Sequence, residues 1–223
     1  MLKNKYHLVG VMSGTSLDGL DLAEVFFTLK DGQWIYEFGV CETLDYPQHW
    51  KEKLATAITM AEESLEILDK QYTTYLSLKI HEFIAQHNLC ELDAIASHGH
   101  TVYHKPERGV TRQIGNRKEL AALLKQTVVC DFRVQDVQLG GQGAPLVPIG
   151  DRLLFGEFEY CVNLGGFANI SFEQDDRRIA YDLCPVNICL NPLAEKYSYF
   201  EVMELYGGAV RNLKYRHSNA DWT

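Results

Sequence analysis

Apolar residues along this chain alternate, cluster and then change period, and each change marks an element. His7 to Met12 is an apolar run that breaks at Ser13 and Gly14, and a second run leaves through Leu20 to Leu29. Two such runs around a Gly-, Ser- and Asp-rich centre predict a β-hairpin with a tight polar tip. Trp34 to Cys41 predicts a third strand, with Asp31-Gly32 as its turn. From His49 to Asn88 the period becomes three and four. Leu54, Ile58, Ala61, Leu65, Leu68, Tyr72, Tyr75, Leu76, Phe83 and Ile84 predict one or two amphipathic helices. Short buried strands are expected at Leu92 to Ser97 and Thr127 to Phe132, with a helix at Leu120 to Leu124 between them. A long polar loop is expected from Arg133 to Pro148. Tyr160 to Phe172 and Arg178 to Leu183 predict a fresh hairpin with Gly165-Gly166 inside its first strand, and a helix is expected to open near Asn187. This order describes an α/β chain whose second lobe begins near Pro145.

At 223 residues and 46% hydrophobic, the chain can bury the core of one large domain or two lobes. A net charge of −9 without any Lys/Arg cluster argues against a nucleic-acid partner. No run approaches a membrane span, and the N-terminus lacks a signal-peptide pattern, so a cytoplasmic protein without a membrane partner is expected. The six cysteines form no CxxC pair, and four lie in apolar runs, which predicts reduced thiols in the core.

Six polar clusters carry the candidate chemistry. In the first, Gly14, Thr15, Ser16, Leu17, Asp18, Gly19, Leu20 and Asp21 offer backbone N–H groups and hydroxyls to an anion, and Asp18 could hold a divalent cation. It is neither a Walker A loop nor a Rossmann fingerprint. The second is Ser97-His98-Gly99-His100-Thr101, with His104 following. Three imidazoles within seven residues suit zinc by type, or else hydrogen-bond the backbone or a sugar hydroxyl. Gln113-Ile114-Gly115-Asn116 is a smaller polar cluster. Asp131-Phe132-Arg133 leads into Gly140-Gly141-Gln142-Gly143-Ala144-Pro145, where glycines permit close approach to a ligand, although Asp131 and Arg133 could equally form a local ion pair. Asn163-Leu164-Gly165-Gly166-Phe167-Ala168-Asn169 marks a bulge or a close approach, and Asp182 stands before a helix start, in the position of a cap or a base.

Taken together, Met12-Ser13-Gly14-Thr15-Ser16-Leu17-Asp18-Gly19-Leu20-Asp21, Ser97-His98-Gly99-His100-Thr101, Asp131-Phe132-Arg133 with Gly140 to Pro148, Asn163 to Asn169 and Tyr181 to Asn187 resemble, in order, the blocks of the anhydro-N-acetylmuramic acid kinases. The resemblance implies an actin-like (ribonuclease-H-like) α/β fold, with the first lobe complete and the second partial. The first lobe would span 1–144, the start of the second 145–196, and a divergent or frame-shifted tail 197–223, where the likeness fades. It implies ATP and Mg2+ as cofactors, with residues 14–21, Gly165 and Gly166 at the nucleotide and Asp18 at the magnesium. It implies sugar contacts at Ser97, His98, Gly99, Asp131, Arg133, Gln142 and Asn187, and Asp182 as general base. The implied reaction hydrolyses the 1,6-anhydro ring and phosphorylates O6, and a homodimer is left open. Three residues depart from the family pattern: His100 replaces Gln, and Cys184 and Val186 replace two glycines. Two alternatives stand beside this reading, a non-catalytic sugar-binding remnant and a metal-dependent hydrolase using His98, His100 and His104.

Overall fold

The computed structural model describes residues 3–105, 108–144 and 146–196. The expected tail from 197 onward lies outside the described residues. β1 (Lys5–Ser13) returns antiparallel as β2 (Leu20–Lys30) and again as β3 (Gln33–Leu44). Along β1 the alternation of Val9, Val11 and Ser13 puts these three inward, with Met12 exposed, as a half-buried strand requires. α1 (Gln48–Thr56) and α2 (Glu62–Gln86) are separated by a single 3-10 turn, Ala57–Thr59, which leaves Ile58 exposed outside the apolar stripe.

α2 buries Leu65, Leu68, Tyr72, Leu76, Ile80 and Phe83, one stripe at spacings of three and four. That stripe packs on Val9, Val11, Leu20, Leu22, Ile95 and Ile114 to form a single core. β4 (Ala94–Lys105) runs parallel to β1, and it is twice the strand that the apolar run suggests. Its first half pairs with the short parallel β6 (Val128–Val129), its second half antiparallel with β5 (Val110–Ile114). The mostly polar second half of β4 is held by this ladder and by buried Val102, and the His98 cluster therefore lies within the strand. α3 (Glu119–Leu124) sits against α2 and buries Leu120 and Leu124.

The expected loop from Arg133 to Pro148 is partly helical. α4 (Phe132–Gln138) begins after Asp131, which adopts a left-handed φ of 61°, and ends where Gly140 takes φ +90°. α5 (Pro148–Leu154) opens with proline in its first turn. The second sheet is β7 (Tyr160–Leu164), β8 (Phe167–Gln174) and β9 (Arg177–Pro185) in that order, all antiparallel. Gly165-Gly166 is thus the turn between two strands and not a bulge within one. Buried Asp151 of α5 accepts a hydrogen bond from Ser171 Oγ and lies 3.8 Å from Arg178 Nη2, fastening one face of this sheet to the helix. α6 (Asn187–Lys196) runs on through Pro192, forgoing the bond that an N–H there would make to the carbonyl of residue 188.

The cysteines depart from expectation. All six are free thiols, but Cys41, Cys90, Cys184 and Cys189 are exposed and the other two half-buried. Three of them belong to the second sheet or α6, whose apolar positions are largely exposed. No helix among the described residues is long and apolar enough to cross a membrane.

Candidate functional site

The loop joining β1 to β2 is held from beneath by a line of buried hydroxyls. Tyr46 donates to Ser13 Oγ at 2.8 Å, and Tyr72 OH lies 2.6 Å from Tyr46 OH. Ser13 Oγ, already an acceptor, gives its own proton to His100 Nδ1 at 2.8 Å. Burial holds the Tyr46 hydroxyl proton with a pKa near 12 and pushes His100 down to about 4. His100 is therefore neutral and structural. It ties the base of the loop to β4, and an amide oxygen in its place would offer Ser13 the same acceptor.

Within the loop, Leu17 takes φ +58° and Asp18 Oδ1 accepts from Ser16 Oγ (2.9 Å) and its neighbour Gly19 N–H (3.1 Å). A side chain at Gly19 would meet Thr43 and Leu44 of β3, so that glycine is demanded by packing. Leu20 is buried in the core, and Asp21 accepts from Thr43 Oγ1 at 2.6 Å. These last two support the hairpin. Thr15, Ser16 and Leu17 line a cavity of about 450 Å3 whose other walls are Gln48, Lys51 and Glu52 of α1 and Asn187, Ile188 and Asn191 of α6. Lys51, the cation of this cavity wall, is absent from the sequence-based candidates because it lies among ordinary helix-surface charges.

The second turn meets the first. A methyl group on Gly166 would stand 3.7 Å from Thr15 Oγ1. The carbonyls of Gly165 and Gly166 accept from the backbone N–H groups of Val186, Asn187 and Ile188, so the turn is fixed against the start of α6. Strand register also sets Asn163, Asn169 and Asp182 opposite one another across β7, β8 and β9, on the face that carries Ser171.

Around β4, Ser97 is fully buried and donates to Asn116 Oδ1 at 2.8 Å, while Asn116 Nδ2 donates to the His98 carbonyl at 3.0 Å. Gly99, at φ +70°, has no room for a Cβ beside Asn116 and the Ile114 carbonyl. Ser97 and Gly99 thus stand behind the surface and shape it. His98 Nε2 accepts from Arg133 Nε at 3.0 Å, and Arg133 Nη1 donates to the Gly143 carbonyl at 2.7 Å. Asp136, not Asp131, organises the glycine loop, its Oδ2 accepting from Gly143 N–H at 2.6 Å. Burial lowers the Arg133 pKa, and the charge of Asp182, reaching it from the second sheet, opposes that effect.

Asp131 is not part of that group. It lines a separate polar cavity of about 250 Å3 with Asp69, Arg112, Asn116 and Arg117, and the local Asp131–Arg133 ion pair does not form. Gln142 is exposed on its loop. The zinc reading fails on geometry: His98 is bound to Arg133, His100 to Ser13, and His104 Nδ1 lies 3.0 Å from Thr111 Oγ1. No group of three or more metal-ligating side chains occurs among the described residues.

Comparison with known proteins gives the same order of motifs a family. A model of the anhydro-N-acetylmuramic acid kinases matches residues 6–201. The anhydro-N-acetylmuramic acid kinase of Pseudomonas putida is 36% identical over 197 residues, covering 84% of this chain and 53% of that protein. That of Mannheimia succiniciproducens is 38% identical over 202 residues, covering 86% and 53%. Among solved structures, YeaZ from Pseudomonas aeruginosa aligns with 81% of this chain and 67% of that one at 13% identity and a TM-score of 0.28, a likeness too slight to bear on the site. The chain spans about half the length of the curated relatives it matches. With its family model matched over most of its length, the chain belongs to the anhydro-N-acetylmuramic acid kinase family.

Proposed function

We propose that the chain takes part in the ATP-dependent conversion of 1,6-anhydro-N-acetylmuramic acid to N-acetylmuramic acid 6-phosphate, with residues 1–144 and 145–196 as parts of two actin-like lobes. The observation that carries this reading is the meeting of the two glycine turns, Gly166 against Thr15, beside a polar cavity walled by α1 and α6. Asp182 would accept the proton of a water that attacks the anomeric carbon. The bond from that carbon to O6 breaks, and O6 takes the γ-phosphoryl group. Arg133, held by His98 and Gly143, orients the sugar through its polar groups.

The donor set around Thr15 fits an anion: N–H groups, hydroxyls and Lys51 outnumber the acids Asp18 and Glu52. The nucleotide phosphates would be held by residues 14–19 with Gly165 and Gly166, and a magnesium ion by Asp18, where it would neutralise phosphate charge. Asp18 keeps one oxygen for the turn and has the other for the ion.

ADP release by the purified chain with ATP, magnesium and the anhydro-sugar tests the reading. Sugar-dependent release should fall about 10²-fold or more in Asp182→Asn, the scale of a lost general base. A folded wild-type chain that binds the sugar without turnover would favour the sugar-binding remnant.

A further inference from the structure

We propose that His98 is a positioning residue for Arg133, and that it serves this role only in its neutral form. The functional consequence rests on the kinase reading; the contact itself does not. Arg133 Nε–H points at His98 Nε2, 3.0 Å away, so that nitrogen must be an acceptor. His98 Nδ1 lies 2.9 Å from the Gly99 carbonyl and must therefore be the donor. Both ring nitrogens are committed within the protein, which defines the tautomer and leaves neither for a sugar hydroxyl. His98 was a candidate for direct sugar contact; its geometry assigns it a place one layer behind.

What that layer achieves follows from the shape of the guanidinium. Its fork is planar, so two acceptors on Nε and Nη1 fix the orientation of the whole group. Here those acceptors come from β4 and from the glycine loop, at 3.0 and 2.7 Å. Nη2 has no acceptor among the described residues and is left for a ligand carboxylate or hydroxyl.

Protonating His98 would turn its acceptor into an N–H facing another N–H, with two cations apposed in a largely dry place. The charged and titratable groups facing it are Arg133 from α4, Asp182 of β9 beyond that arginine, and His100 on its own strand, kept neutral by burial. Burial first, and then Arg133, lowers the His98 pKa below its ordinary 6.5, while the Gly99 carbonyl opposes them. The sign is definite: the contact is intact above that lowered value and is lost as pH falls through it.

Two readouts on the full chain test the proposal. Nitrogen-15 NMR of the imidazoles should find Nδ1 protonated and Nε2 bare at pH 7.5, and the protonation midpoint of His98 should rise in Arg133→Met. A protonated Nε2 at pH 7.5, or a midpoint that ignores the arginine, overturns the proposal whether or not the chain is a kinase. Calorimetry with 1,6-anhydro-N-acetylmuramic acid then follows affinity from pH 7.5 to 4.5. His98→Leu should bind about tenfold more weakly than wild type at pH 7.5, the scale of one lost hydrogen bond. His98→Gln, which keeps an acceptor but cannot take a proton, should lose less and retain only the shallower pH slope of the groups other than residue 98. A wild-type slope no steeper than that of His98→Gln overturns the proposal. Sugar binding absent from all three, with the NMR result as expected, supports the positioning contact and overturns the kinase reading.

Discussion

β1 to β3 and β7 to β9 are built alike: a strand, a tight turn that reaches the site, and two antiparallel returns. They differ in what comes next. In the first sheet β4 pairs along the free edge of β1, and α2 lays six large side chains across one face. In the second, no further strand pairs with β7 among the described residues. Tyr160, Val162, Ile170, Phe172, Ile179 and Tyr181 share one face, and four of its residues on the two outer strands (Tyr160, Val162 and Leu164 of β7, Tyr181 of β9) are about half to two-thirds exposed. The opposite face carries Asp182 and is the one fastened to α5. Stability and chemistry are thus unevenly distributed. The first sheet holds the loops rigid, while the second presents the candidate base on a layer whose far side is open.

The largest effect that would break this comparison is in the first core. Leu76 is completely buried on α2, close enough that a methyl on Gly115 would strike it at 2.6 Å. Leu76→Ala removes a side chain from a site that cannot collapse, and should cost about 4 kcal/mol in urea unfolding. A cost under about 1 kcal/mol would mean that this core is not where the fold is held.

A smaller effect, dependent on pH, probes the line of hydroxyls beneath the first loop. His100 is neutral in the fold, with its pKa near 4 against 6.5 in an unfolded chain. Above pH 6.5 it contributes no pH dependence. As pH falls from there toward 4, the unfolded chain takes up the proton and the native one does not, which withdraws up to about 3 kcal/mol of stability. His100→Gln keeps an acceptor for Ser13 and does not titrate, so its stability should decline less steeply over that window. Carboxylate titration is common to both proteins and cancels in the difference. Parallel curves would place the imidazole in water, contrary to its burial.

The difference between the sheets also explains how much could be read from the residues. Period-two patterns placed β1 and β2 nearly to their ends, and a period of three to four located the helical stretch that holds α2, because one buried face dictates each; β3, which buries no residue fully, runs three residues past its expected end. The second half of β4 was read as a polar cluster beyond a strand, since its residues are mostly polar and His100 to Lys105 is paired with β5, with Val102 its one buried aliphatic side chain. α4 is a seven-residue helix entered through a left-handed aspartate, too short for a period to register. At the site, the residue types were legible and their assembly was not. Arg133 reaches His98 across 35 residues, while its near neighbour Asp131 turns into another cavity. The cysteines of the second sheet were misplaced for the same reason that its apolar residues are exposed: the pattern of a buried layer is present without the cover among the described residues.

The smallest expected effect sharpens the comparison most. Leu164 ends β7 at the edge of the second sheet, opposite Ala168, and is 66% exposed. Leu164→Asp puts a charge where water already reaches, so unfolding free energy should change by no more than about 0.5 kcal/mol. The same charge on an exposed edge strand opposes strand-to-strand association, so light scattering at high concentration should fall. A loss of several kcal/mol would instead reveal that the face is covered in solution. Its dependence on protein concentration would then name the cover. A concentration-dependent loss assigns it to a second copy, and a concentration-independent one to residues of the same chain beyond 196.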